Sequence, residues 1–214
     1  MRRVFLVLGL LTLAAAWLGP LPLLARDAFF AHMTMHMAVV AVAAPLLALG
    51  VGGGRFDPAR AAPGLFAPVQ ASLVELVIVW AWHTPALHHA ARHHQTAFIA
   101  EQGMFFIAGV YLWLSAFGGD GSKIKNRNAA GVVGLLLTAM HMTLLGALLA
   151  LAPRPLYTHV NERAGGFAGL APLDDQHLGG AIMLLVGGLS YLLGGLWLTV
   201  RLLRDPYCAP LERS

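Results

Sequence analysis

The sequence predicts an all-α membrane protein: a bundle of about six transmembrane helices, with both termini cytoplasmic, in a single integral-membrane domain spanning residues 1–214. Three observations carry that expectation. The 214 residues are 58% hydrophobic and only 11% charged, a balance unlike that of soluble domains. The apolar residues fall in runs of about 20, the length a helix needs to cross the hydrocarbon core. Lys and Arg are also unevenly shared. With six spans laid out, Arg2, Arg3, Arg55, Arg60, Lys123, Lys125, Arg127, Arg201, Arg204 and Arg213 lie on one side, and only Arg26, Arg92, Arg154 and Arg163 on the other. The richer side is expected to be cytoplasmic. The net charge of +4 follows from this topology. No basic stripe is interleaved with aromatics, so no nucleic-acid partner is expected.

The spans are read at 4–19, 29–50, 69–90, 97–117, 130–152 and 178–202, separated by short polar or Pro/Gly-rich segments. The first also resembles a cleavable signal peptide, because Arg2 and Arg3 precede an apolar run ending in Ala14, Ala15 and Ala16. A retained helix fits the charge pattern better. The lone Cys208 excludes an intrachain disulfide, a CxxC motif and a thiolate-rich zinc or iron–sulfur site. All ten histidines, and every methionine except Met1, fall toward the outer side of this layout. Ionisable groups within a membrane are costly and usually functional.

The second span opens with His32-Met33-Thr34-Met35-His36-Met37. On a helix His32 and His36 share one face, a spacing that lets two imidazoles hold one metal. Met33 and Met37 form an adjacent stripe. Imidazole with thioether suits copper, the cuprous ion above all, and the absence of thiolates weighs against zinc. The competing reading is packing by methionine and interhelical hydrogen bonding by histidine.

The third span ends in Trp80-Ala81-Trp82-His83-Thr84-Pro85, followed by His88, His89, His93 and His94. Pro85 kinks or ends the helix, which makes His83 the better ligand and leaves the later four at the solvated interface, where they can collect metal weakly and pass it inward. His141 lies between Met140 and Met142 in the fifth span and needs a partner from another helix or a metal. Thr138 shares its face, and Gly134 permits close helix approach. Asp174-Asp175-Gln176-His177 leads into the sixth span; one acid serves as a helix cap, and Asp175 can orient a ligand histidine or attract a cation. Gly179 and Gly180 allow close packing there. Glu75, in the inner half, either pairs with a neighbouring helix or carries a proton.

These motifs resemble the CtaG-like cytochrome c oxidase assembly factors, the polytopic membrane type. The resemblance lies in His32-Met33-Thr34-Met35-His36 running into Ala44-Pro45-Leu46-Leu47-Ala48-Leu49-Gly50, in Trp82-His83-Thr84-Pro85, in Pro155-Leu156-Tyr157, and in Asp175-Gln176 followed by Gly179-Gly180 and Met183. It implies an assembly role for a haem-copper oxidase in a bacterial inner membrane, in the maturation of its copper centre. The partners would then be the oxidase catalytic subunit and periplasmic copper chaperones, with lipid around the bundle.

Together the residues predict a copper site in the outer half, its ligands drawn from His32, His36, His83 and His141, with Met33, Met37, Met140 and His177 as further candidates and Asp175 as orienter. Such a protein would take up cuprous ion from outside and hold it until the oxidase docks. No nucleophile elbow, phosphate loop or HExxH pair is present, so no enzymatic activity is expected. Two alternatives stand beside this reading: a b-type haem protein ligated by two histidines such as His36 and His141, and a metal-free scaffold for oxidase subunits. A transporter is disfavoured by the apolar inner half and the lack of an inverted repeat.

Overall fold

The computed structural model describes residues 1–119, 124–157 and 169–204. Among them, every regular element is helical. In chain order these are α1 (Arg2–Leu18), α2 (Leu21–Asp27), α3 (Phe29–Val51), α4 (Pro68–Trp82), α5 (Pro85–His93), α6 (Gln95–Phe117), α7 (Ile124–Ala150) and α8 (Pro172–Arg204), with one helical turn at Pro58–Ala61 between α3 and α4. His159, Arg163, Lys123, Cys208 and Arg213 lie outside the described residues.

Phe29–Val51, Gln95–Phe117, Asn126–Ala150 and Pro172–Arg204 are long and apolar enough to cross a membrane, and α1 with α2, bent by 45°, makes a fifth if that pair is one span. The chain is therefore a multi-pass membrane protein, with four or five candidate spans where six were expected. The difference lies in the third expected span. Residues 69–90 are divided between α4, which is too short to qualify, and α5. Pro85 cannot donate a backbone hydrogen bond and its ring pushes Thr84 into extended backbone (φ −66°, ψ 142°), so α4 stops and a new helix starts with proline at its first position. The His83 carbonyl at the break accepts the Tyr157 hydroxyl at 2.8 Å.

Helix α3 is the centre of the bundle, packed against α1, α2, α6 and α8. It contains a proline, Pro45, and accommodates it by widening to a π-helix over Ala38–Ala43. Proline has no N–H for the carbonyl four residues before it, here Ala41. That carbonyl accepts the Ser190 hydroxyl from α8 at 2.6 Å, and the neighbouring Val40 carbonyl accepts the Trp113 indole N–H from α6 at 2.9 Å. A local defect thus becomes two side-chain ties that fix α3 to its neighbours in the apolar interior, where every backbone group must find a partner. A second π segment, Met183–Gly187, interrupts α8 at Met183, just before Ser190.

The close packing expected at Gly179 and Gly180 is realised. A Cβ on Gly179 would lie 2.4 Å from the Phe29 ring of α3, and one on Gly180 would lie 2.5 Å from the Ala150 nitrogen and 2.8 Å from the Gly146 carbonyl oxygen of α7. The glycine pair therefore lets α8 touch α3 on one side and the backbone of α7 on the other. Gly134 does the same for α7 against Pro68 of α4. Gly180→Ala is expected to destabilise the protein by about 1–3 kcal/mol, as overpacking against rigid neighbours does. Thermal unfolding in detergent checks it. Gly103→Ala, where nothing lies within 4 Å, should match or exceed the parent.

Candidate metal centre

The apolar interior places two imidazoles and a carboxylate in direct contact. His32 and His36, one helical turn apart on α3, bring their Nε2 atoms to 2.7 Å. Glu101 on α6 points its Oε1 at both, 3.3 Å from His32 Nε2 and 3.6 Å from His36 Nε2. All three residues are 1% exposed. Each offers one ligand atom to a common point, and the three atoms lie within 4.8 Å of one another. A buried anion between two imidazoles attracts either a proton or a metal cation, since leaving it unpaired is strongly unfavourable.

The surroundings are built to hold this arrangement. Gln102 accepts the Trp17 indole N–H at 3.2 Å, which turns its amide nitrogen toward Glu101 Oε2 at 3.3 Å and His36 Nδ1 at 3.4 Å. An accepting Nδ1 puts the His36 proton on Nε2. His88 of α5 is buried, with its ring centroid 5.0 Å from that of His32 and 4.1 Å from Tyr157. His83 lies 6.3 Å from His36 by ring centroids, and its Nδ1 is engaged with the Val79 carbonyl at 2.7 Å. The Nε2 atoms of His83 and His88 are buried with no hydrogen-bond partner. Two unpaired imidazole nitrogens therefore flank the three central donors.

The donor set fits a transition-metal ion. Imidazole with carboxylate suits copper, zinc or iron. A four-coordinate ion with bonds of about 2.0–2.1 Å keeps its ligand atoms roughly 3.3 Å apart. The two His–Glu separations are close to that, and the His–His pair would have to open by about half an ångström.

The other expected site residues are elsewhere. Met33 packs on Gly179 and Met37 beside Gly187, both on α8. Met140 is 68% exposed. His141 is buried on α7 with neither ring nitrogen hydrogen-bonded. His177 pairs through Nε2 with the Ala152 carbonyl at 2.9 Å. Glu75 is fully buried and accepts the Tyr191 hydroxyl at 3.1 Å, while Thr138 donates to Ser72 at 2.9 Å.

Asp175 acts on the site from a distance. Its two carboxylate oxygens accept the backbone N–H groups of Phe29 and Phe30 at 2.7 and 2.8 Å. It thereby caps α3, three residues before His32, from the neighbouring helix. Gln176 beside it accepts the Leu156 N–H at 2.6 Å and donates to the Leu149 carbonyl at 3.2 Å.

Glu101 and Gln102 were not among the expected site residues. The available signal was a carboxylate one and a half turns into an otherwise apolar helix. His88 was expected at the solvated interface because Pro85 was read as kinking or ending the helix, whereas a new helix starts there and turns His88 inward.

The fold and the cluster together define a multi-pass helical membrane protein with a buried imidazole–carboxylate site. Residues 1–205 match the family described as cytochrome c oxidase caa3 assembly factor (Caa3_CtaG), and the chain belongs to that family. Neither the curated proteins nor the solved structures give a match.

Asp175→Ala should weaken the start of α3 by about 1–2 kcal/mol, the usual loss for a helix cap, and speed hydrogen exchange over residues 29–33. Asp174→Ala, at an exposed position, should leave exchange there unchanged.

Proposed function

We propose that this oxidase assembly factor holds a copper ion between His32, His36 and Glu101, with His83 or His88 completing its coordination, and releases it to the catalytic subunit of a haem-copper oxidase. The observation that carries this reading is the convergence of two imidazole nitrogens and one carboxylate oxygen at 1% exposure. Work at this site is binding and ligand exchange, with no covalent catalysis. The ligands are nitrogen and oxygen, so Met33 and Met37 serve as packing groups and the cupric state is held as readily as the cuprous. The positive-inside bias supports a cluster in the outer half of a bacterial inner membrane, with periplasmic copper chaperones as donors and lipid around the bundle.

A second reading is favoured by the 2.7 Å separation of the two Nε2 atoms and by Gln102, which together suit a shared proton. In it the cluster is a metal-free tie between α3 and α6 in a scaffold for oxidase subunits. Copper binding at His36 Nε2 displaces that proton and requires the Gln102 amide to turn over, so the two readings differ in chemistry that can be measured.

Purified protein incubated with copper and freed of excess should retain about one equivalent, and His32→Ala, His36→Ala and Glu101→Gln should each weaken binding roughly tenfold or more. Met33→Leu and Met37→Leu should retain the metal. Elemental analysis together with a thermal melt reads both quantities. Copper retained by folded Glu101→Gln and His32→Ala variants would contradict the site. A parent that binds none, with variants that melt lower, would favour the proton-linked scaffold.

A further inference from the structure

Among the described residues, a cavity reaches the buried cluster from the surface. A cavity of about 300 Å³ opens between α2, α5 and the start of α6, and His32 lines it while His36 and Glu101 do not. The other walls include Leu23 of α2, Ala91 and His93 of α5, and His94 and Phe98 at the start of α6. His93 and His94 are exposed, and His32 is 1% exposed. The cavity thus joins two solvent-facing imidazoles to a buried one of the cluster. We propose that it is the entry by which copper reaches the cluster, with His93 and His94 as capture ligands and His32 as the receiving ligand; this rests on the copper reading above.

The opening has a cause in the sequence. Gly19, Pro20 and Pro22 stop α1 and redirect the chain by 45° into α2, so α2 does not continue the wall of the bundle. The gap is held at a set width by two arginines. Arg92 donates to the Arg26 carbonyl at 2.6 Å, and Arg26 donates to Gln95 Oε1 at 3.4 Å. These bonds tie α2 to α5 and α6. Asp175 of α8, Asp27 of α2 and Glu101 of α6 are the acids that act on the positive charge of Arg92 in this wall.

Helix α5 suits a relay. His93 stands at the cavity wall, and His88 looks inward from the same helix, its ring centroid 5.0 Å from that of His32. An ion moving inward exchanges one imidazole for the next, and each step replaces a nitrogen ligand by another of the same kind. No oxidant or reductant is needed.

The test places a plug in the cavity. In a Cys208→Ser background, which removes the chain's one cysteine, Leu23→Cys puts a thiol at a wall position that is 68% exposed. The same protein is then modified either with a methyl-transferring thiol reagent or with a bulky maleimide, so that neither form carries a free thiol. Copper alone is added, and uptake is followed in time and at equilibrium. The methylated form should load at the rate of the Cys208→Ser background, and the bulky form about tenfold or more slower with the same final stoichiometry. His93→Ala/His94→Ala should also slow uptake without lowering stoichiometry, and His89→Ala, outside the cavity, should not. Equal rates for the two labelled forms would overturn the route and leave the site standing. A parent that takes up no copper would overturn the site and the route together.

Discussion

A carboxylate in the apolar interior of a helix bundle demands a positive partner, and the placement of Glu101 follows from that constraint. Its anion lies where water is excluded, so the energy of the arrangement depends on what sits between it and the two α3 imidazoles. A proton satisfies the need, and so does a metal ion. The cluster also links α6 to α3 in the buried interior.

The precision of that point is supplied from α8 and α6. Asp175 holds the first N–H groups of α3, and Ser190 and Trp113 take the carbonyls that the Pro45 distortion leaves available. Helix α3 is thus anchored at its first turn and at its middle, and His32 and His36 lie between the anchors. The glycine pair at 179 and 180 lets α8 come near enough to do this. Motifs that are far apart in the chain, Asp-Gln-xx-Gly-Gly and the His-rich turn, act as one structural unit.

The fold class was legible because composition and run length report directly on membrane burial. The His32/His36 pair was legible as well, since a spacing of four sets the geometry within one helix. What depended on contacts between helices was not. Glu101 belongs to the site only because α6 lies beside α3, and no pattern along α6 states that. Asp175 was read as a partner for a histidine, whereas it reaches the backbone of α3. His141 was grouped with the ligands by residue type, and the structure leaves it without a hydrogen-bond partner on α7. Pro85 was read correctly as a break, but the restart of a helix beyond it, which turns His88 inward, depends on how α5 packs on α6.

In the proposed site copper is held by nitrogen and oxygen ligands from α3 and α6. X-ray absorption spectroscopy of the copper-loaded protein tests it most directly. The account predicts a first shell of nitrogen and oxygen at about 2.0 Å with the outer-shell scattering of at least two imidazoles, and no sulfur. A thioether shell near 2.3 Å would move the site to the methionines, and a spectrum without imidazole scattering would contradict the account.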